Sequence, residues 1–509
     1  YLPLYMELHE IQICQGSEKS QIISPAGSNL LSILQKQKYY LSAPCGGHGT
    51  CNKCSVELIE SGEQKSEKRR VLACEYIIES DLEIILSLEN SAKIISESYF
   101  PDLNIKYNTV DDQEYGIAID IGTTTIVVYL EDLHEHKNIA AKSFLNPQKA
   151  FGADVISRIQ FAGESDGLAR LHTTIVDSTD QAIREICTEN TIQSEKIKRI
   201  VVAGNTTMLH LFKGVDPSSL AQYPFTPVFL DQQIIQAEDI GLKSLPDATL
   251  TILPSISAYV GADILAGIAA SELPDDDEYA LFLDLGTNGE IALGNKNGIL
   301  TSATAAGPAF EGAKISCGMA GVNGAIHSFS SEEYETIGNT KPSGLCGSGL
   351  IDVVAWLLSS QQLDETGFLE KEITFLSEEQ TGTSNPLQLT PLDIREVQLA
   401  KGAIAAGIET LIDKKGISLD QVKKLYLAGG FGYALHTETA AQIGLFPKSM
   451  IPKVIRAGNT AGLGARLSLH SEDFITRIIE LKDKSQHFDL STDMGFNERF
   501  VMNMNFTIS

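Results

Sequence analysis

Cys45, Cys51, Cys54 and Cys74 fall in CGGHGTCNKC and the later RRVLAC, a C-x5-C-x2-C spacing with a distant fourth thiol. Iron takes soft anionic sulfur, and the run differs by one residue in its first gap from the C-x4-C-x2-C spacing of two-iron, two-sulfur (2Fe-2S) centres. Gly46, Gly47 and Gly49 let the intervening backbone fold tightly enough to turn amide donors toward sulfur. Hydrogen bonds of that kind tune a redox potential. A structural zinc cage of four sulfurs is the competing reading, and a second C-x2-C pair that would favour it does not occur. One-electron carriage is the expectation. Cys14, Cys187, Cys317 and Cys346 lack ligand spacing and read as ordinary buried thiols.

A second chemistry starts at Gly116. GIAIDIGTTTIVVYL reads as a buried strand ending in Asp120, a glycine turn and a β-branched strand, and so as a β-hairpin. The phrase recurs 164 positions later as ALFLDLGTNGEIALG, aligning Asp120 with Asp284, Gly122 with Gly286 and Thr123 with Thr287. Such turns offer backbone N–H groups and hydroxyls to an anion, while the carboxylate can hold a hydrated divalent cation. Two facing copies would clamp a triphosphate: Asp120, Gly122, Thr123, Thr124 and Thr125 on one side, Asp284, Gly286, Thr287, Asn288 and Gly289 on the other. Mg2+ between them would neutralise charge on the β- and γ-phosphates. In KLYLAGGFGYAL an apolar strand meets Gly429 and Gly430, which permit close approach of a flat ring. Neither a Walker G-x-x-x-x-G-K-S/T string nor a G-x-G-x-x-G in strand-to-helix context is present.

The elements that must position these residues read as follows. Residues 6–24 alternate around Gln15-Gly16-Ser17 as a hairpin, Ser28 caps a short helix over NLLSILQKQK, and strands CSVELI and LEIILSL follow the cysteine loop. The order is that of a β-grasp, ferredoxin-like domain over 1–88. A polar linker over 89–115 leads to a first ATPase half at 116–279 and a second at 280–470; 471–509 form a tail whose helix is capped by Ser471 and whose FVMNMNF packs inward. The stretch 325–400 reads as polar surface loops and strands. With 509 residues the chain has room for about three domains. Its 66 acidic against 39 basic residues give a net charge of −27, which disfavours nucleic acid and anionic membranes as partners. YLPLYMELHEIQ has no leader pattern and no apolar run reaches membrane-spanning length, so the expectation is a cytoplasmic protein.

Taken in order, the two phosphate hairpins, the Gly-Gly turn, VVAGNTTMLHLF and AGNTAGLGARL resemble the signature of the acetate and sugar kinase, heat-shock chaperone and actin superfamily. The resemblance implies an α/β, duplicated ribonuclease H-like ATPase over most of 116–467, and an α+β domain before it. Gly307 and Glu311 of AGPAFEG would then lie near the ribose, on a helix after the second hairpin. Joined to the ferredoxin-like N-terminus, with NPQKAFGADVISRI, AAGPAFEGAKISCGM and CGSGLID between, the whole resembles the reductive activators of corrinoid proteins.

That family implies an ATP-dependent transfer of one electron from the 2Fe-2S cluster to Co(II) cobalamin, restoring Co(I). By motif, Cys45, Cys51, Cys54 and Cys74 would hold the cluster, and Asp120 and Asp284 would serve Mg-ATP. It also implies a corrinoid protein partner and an upstream electron donor, and a homodimer would be ordinary for the superfamily. Three other readings compete: a small-molecule kinase with an added redox domain, an activator of radical dehydratases, and a redox-sensing adaptor that binds nucleotide without turnover.

Overall fold

The computed structural model describes residues 7–15, 18–37, 39, 41, 43, 47, 49, 54–61, 66–86, 103, 105–109, 114–286, 288–312, 314–331, 333–383 and 385–506. Cys45, Cys51, Thr287, the Gly16-Ser17 turn and most of the linker lie outside the described residues. The chain divides into two compact units, Tyr1–Asn90 with Asn146–Ile175, and Ser91–Leu145 with Val176–Ser509.

In the first unit, strands β1 (Leu8–Gln15), β2 (Glu18–Pro25), β3 (Ser55–Ser61), β4 (Ser66–Leu72) and β5 (Leu82–Leu86) form one sheet of order β2-β1-β5-β3-β4. β1 runs parallel to β5, and the remaining neighbours are antiparallel. Burial alternates along the strands: Ile11 and Ile13, Val56 and Leu58, and Leu82, Ile84 and Leu86 face one core. The helix Leu30–Lys36 adds Leu30, Leu31 and Leu34 to it. Its cap is Asn29 rather than Ser28, because Asn29 Oδ1 accepts from Ser32 N at 3.1 Å. Asn146–Ile175 joins this unit, although the sequence reading assigns it to the ATPase half. Gln35 Nε2 donates to Ala150 O and Arg170 Nη2 to Gln35 Oε1, both at 3.0 Å. The Arg170 guanidinium also lies 5.0 Å from the ring centres of Phe151 and of Phe161, which favours cation–π attraction.

The second unit is built twice over. β6 (Tyr115–Ile121), β7 (Thr125–Asp132) and β8 (Lys137–Leu145) make an antiparallel meander, and β9 (Ile197–Gly204) lies parallel to β6. β10 (Gln233–Gln236) and β11 (Thr249–Ile252) complete six strands in the order β10-β11-β9-β6-β7-β8. The second sheet repeats the plan: β12 (Tyr279–Leu285), β13 (Gly289–Asn295) and β14 (Gly298–Thr304) meander, and Val422–Ala428 lies parallel to β12. Register agrees between copies, since Asp120 sits opposite Ala203 and Asp284 opposite Ala428. The central strands are apolar almost throughout, as expected for strands covered on both faces.

Three expectations need correcting. The stretch 325–400 does carry short strands, but CGSGLID opens the helix Gly347–Ser359, whose residues from Gly347 to Ala355 are all buried. Part of the linker is tied down: Asn108 N donates to His470 O at 2.8 Å and Ser471 Oγ to Lys106 O at 2.7 Å. In the tail, Ser471 does cap the helix Glu472–Lys484 and Phe506 is buried, yet Val501 and Met502 are 64% and 77% exposed. The last helix, Met494–Met502, leaves those two side chains on its solvent side.

Candidate functional site

Both repeated hairpins close as tight turns. Gly122 N donates to Thr125 O at 2.9 Å and Gly286 N to Asn288 O at 3.0 Å. A Cβ at Gly122 would stand 2.7 Å from Thr125 O, so only glycine fits there. The turns hold Asp120 and Asp284 at the ends of β6 and β12. Thr124 Oγ1 donates to Glu311 Oε2 at 2.7 Å, which brings the first hairpin to the second half of the duplication. Glu311 lies in a single 3-10 turn, Pro308–Glu311, where the sequence suggests a helix. Gly307 is left-handed, with φ of +76°, and faces open space.

Asp263, Glu290 and Glu311 complete a group of carboxylates around Asp120 and Asp284. Burial pushes Asp120 up to about 7, with the charge on Asp263 adding to it and a hydrogen bond from Asn459 opposing it. Burial, then Asp263, Asp120 and Glu311, push Asp284 up to about 8. Asp263 is raised to about 6 by burial. Glu290 is raised well above the usual carboxylate range, by burial and then by Asp263 and Asp284. Burial and mutual repulsion thus hold Asp120, Asp284 and Glu290 above their ordinary range, and among the described residues no group of three or more His, Cys, Asp or Glu side chains is arranged to hold a metal ion on its own.

Gly429, left-handed with φ of +79°, passes so near Asp284 that a Cβ would lie 2.6 Å from its Oδ1. The close approach that this glycine permits is therefore to the carboxylate. It opens the short helix Gly429–Ala434, which includes Gly430. Two asparagines that the sequence reading left unassigned also serve the site. Asn205 Nδ2 donates to Thr123 Oγ1 at 3.0 Å and Asn459 Nδ2 to Asp120 Oδ2 at 2.8 Å. Each also caps its own helix, through Met208 N and Gly462 N.

At the thiolate end, Cys54 is buried beside the start of β3 and Cys74 follows β4. Ala73 N donates to Cys54 O at 2.9 Å, so pairing of these strands brings the two cysteines to one end of the sheet. Asn29 Nδ2 holds Cys74 O at 2.7 Å. Gly47 has φ of +88°, and a Cβ there would stand 3.9 Å from Cys74 Cβ and 3.3 Å from Leu31 Cδ2. Gly47 thus stands close to Cys74. The described residues fit the donor set, and Cys45 and Cys51 would complete it.

Corrinoid activation enzyme RamQ of Eubacterium limosum is 32% identical over 594 aligned residues, covering 98% of this chain and 97% of that protein. The chain belongs to the corrinoid reductive activator family. Two family models agree: the RACo middle region matches residues 115–276, and the C-terminal domain of RACo, the ASKHA domain, matches residues 278–509. The Co(II) methylated amine-specific corrinoid protein reductase of Methanosarcina barkeri is 28% identical, over 77% of each chain. A solved structure titled reductive activator for corrinoid, iron-sulfur protein covers 98% of both chains at 28% identity, with a TM-score of 0.73. The resemblance drawn from the motifs is therefore correct, and the ATP-binding half of the activator is the duplicated α/β domain. Among the described residues no helix is long and apolar enough to cross a membrane.

Proposed function

We propose that this activator restores a corrinoid protein from Co(II) to Co(I) by passing it one electron, at the expense of ATP hydrolysis. What supports this reading is membership of the family together with four cysteines in the N-terminal unit's sequence and a duplicated hairpin that ends in Asp120 and Asp284. A 2Fe-2S cluster on Cys45, Cys51, Cys54 and Cys74 would supply a one-electron couple near about −400 mV, and the N-terminal unit would be a β-grasp ferredoxin. In the cleft, Asp120 and Asp284 would hold hydrated Mg2+. Gly122, Thr123, Thr124 and Thr125, with Gly286, Thr287, Asn288 and Gly289, would offer N–H and hydroxyl donors to the phosphates. Gly307, Glu311, Gly429 and Gly430 would border the nucleoside.

The electron balance is simple: an upstream donor gives up one electron, Co(II) gains it, and ATP plus water yields ADP and phosphate. Coupling is energetically within reach. Moving a two-state element from 1:99 to 99:1 takes about 5.5 kcal/mol of differential binding, equivalent to about 230 mV for one electron. The reading is tested by iron and zinc analysis of anaerobically purified protein together with its visible spectrum. Two irons per chain and cysteine-to-iron absorption are expected; bound zinc, or no iron after reconstitution, contradicts it. A small-molecule kinase would instead transfer the γ-phosphoryl group to an added metabolite.

A further inference from the structure

The string AGNT occurs twice, at 203–206 and 457–460, and each copy ends a strand and begins a helix. The second helix, Thr460–His470, links two places of chemical interest. At its start, Asn459 Oδ1 accepts from Gly462 N at 2.8 Å, while Asn459 Nδ2 donates to Asp120 Oδ2 at 2.8 Å and to Tyr129 Oη at 3.1 Å. The carboxylate of the first phosphate hairpin is thus bonded to the cap of this helix. At its end, His470 O accepts from Asn108 N at 2.8 Å and Ser471 Oγ donates to Lys106 O at 2.7 Å. Tyr107 stacks on His136 with ring centres 4.7 Å apart and meets His470 edge-on at 6.1 Å. Residues 105–109 belong to the stretch of chain between β5 and β6.

Eleven residues span these two ends, about 15 Å of helix. The helix is held along its whole length. A Cβ at Gly462 would lie 2.7 Å from Tyr129 Oη, and one at Gly464 would lie 2.5 Å from Ala266 O. Arg466 Nε bonds Glu131 Oε1 at 2.6 Å, and His470 Nε2 lies 3.0 Å from Glu131 Oε2. Close packing of this kind transmits displacement instead of absorbing it.

We propose that Thr460–His470 carries the occupancy of the phosphate cleft to the connecting segment 105–109, with Asn459 as the positioning residue at its input. The proposal rests on the ATPase reading and deepens it, because it names the element that couples nucleotide to the chain leading toward the cysteine domain. A phosphate and its cation bind Asp120 in one geometry, and Asn459 must follow. The far end of the helix then favours one arrangement of the two hydrogen bonds on residues 106–108. Nucleotide shifts that equilibrium only through this differential contact.

The Asn108 amide reports directly, since its bond to His470 O is the output contact. In hydrogen–deuterium exchange of the full chain, Mg2+ with a non-hydrolysable ATP analogue is expected to slow exchange at Asn108 at least fivefold. Asn459→Ala is expected to lose that response. Asn108→Pro, which removes the donor to His470 O and with it the Asn108 Oδ1 acceptor of Glu472 N at 3.3 Å, is expected to hydrolyse ATP within twofold of the parent and to lose the stimulation of Co(I) formation by nucleotide. Exchange that ignores the analogue while a fluorescent ATP derivative is bound overturns the relay and leaves the ATPase reading intact. Failure to bind any nucleotide overturns both, and nucleotide-dependent Co(I) formation by Asn108→Pro overturns the relay alone.

Discussion

Asp284 has Asp263, Asp120 and Glu311 around it and Gly429 against its carboxylate, so its environment is unusually sensitive to single substitutions. Asp120→Asn and Asp284→Asn are each expected to lower ATP hydrolysis by about 100-fold or more, the usual loss when one preorganised electrostatic partner of a transition state is removed. Phosphate release in a coupled assay measures it, and rates within threefold of the parent would contradict the site. Gly429→Ala should act similarly without touching a charge. Its Cβ would press on Asp284 Oδ1, and φ of +79° adds strain of about 1 kcal/mol for any residue with a side chain. The expected result is weakened hydrolysis with the fold retained, read by activity beside circular dichroism. Of these residues, the two aspartates were legible from the repeated phrase and Gly429 from KLYLAGGFGYAL. Asp263 and Glu290 were not: Asp263 is brought in by the helix Ala262–Ala269, and Glu290, though it lies in the second copy of the repeated phrase, aligns with Ile126 in the first, so the repeat does not single it out.

Elements tell a similar story about what can be read in advance. Alternation and glycine turns made the N-terminal hairpin and both repeated hairpins legible, because local periodicity determines them. Long-range register did not show: the tie between Asn459 and Asp120 joins residues 339 positions apart, and only the repeated AGNT string could have pointed to it. Glu131 is another such case. It is 1% exposed, and although burial alone would raise its pKa, hydrogen bonds from His470, Arg466 and Asn138 and the Arg466 charge lower it overall. A lowered folded-state pKa means that the unfolded chain binds the extra proton. The group therefore contributes stability that is complete above its ordinary value of 4.5 and is lost as pH falls through the lowered one. Glu131→Gln is expected to cost about 3 kcal/mol at neutral pH by stranding Arg466, and to flatten the acid limb of a stability-versus-pH curve. An unaltered denaturation midpoint would argue against the network. Gly464→Ala tests the same helix by sterics, with a loss of about 1–3 kcal/mol expected from overpacking against Ala266 O.

For the whole molecule, the motifs pointed to the right family, and the RACo middle region matches residues 115–276, while the compact units cut across that stretch. Asn146–Ile175 lies inside the first half of the duplication by sequence, yet it groups with the compact unit of the N-terminal sheet, where Gln35 bonds Ala150 O and Arg170 Nη2. Hydrogen bonds between Gln35 and residues 115 and 135 positions away leave no periodic trace. If the two sites are chemically separate, Cys54→Ser should lose visible absorbance and bound iron while ATP hydrolysis stays within twofold of the parent. The coupling of those sites is the central claim. It is tested most directly by mixing the iron-loaded activator with a Co(II) corrinoid protein and a one-electron donor, then following Co(I) by absorbance with and without Mg-ATP. Near-complete Co(I) with Mg-ATP and less than about a tenth of it without, the ratio set by roughly 1.4 kcal/mol of drive or more, is expected. Equal and complete reduction in the absence of nucleotide would contradict it.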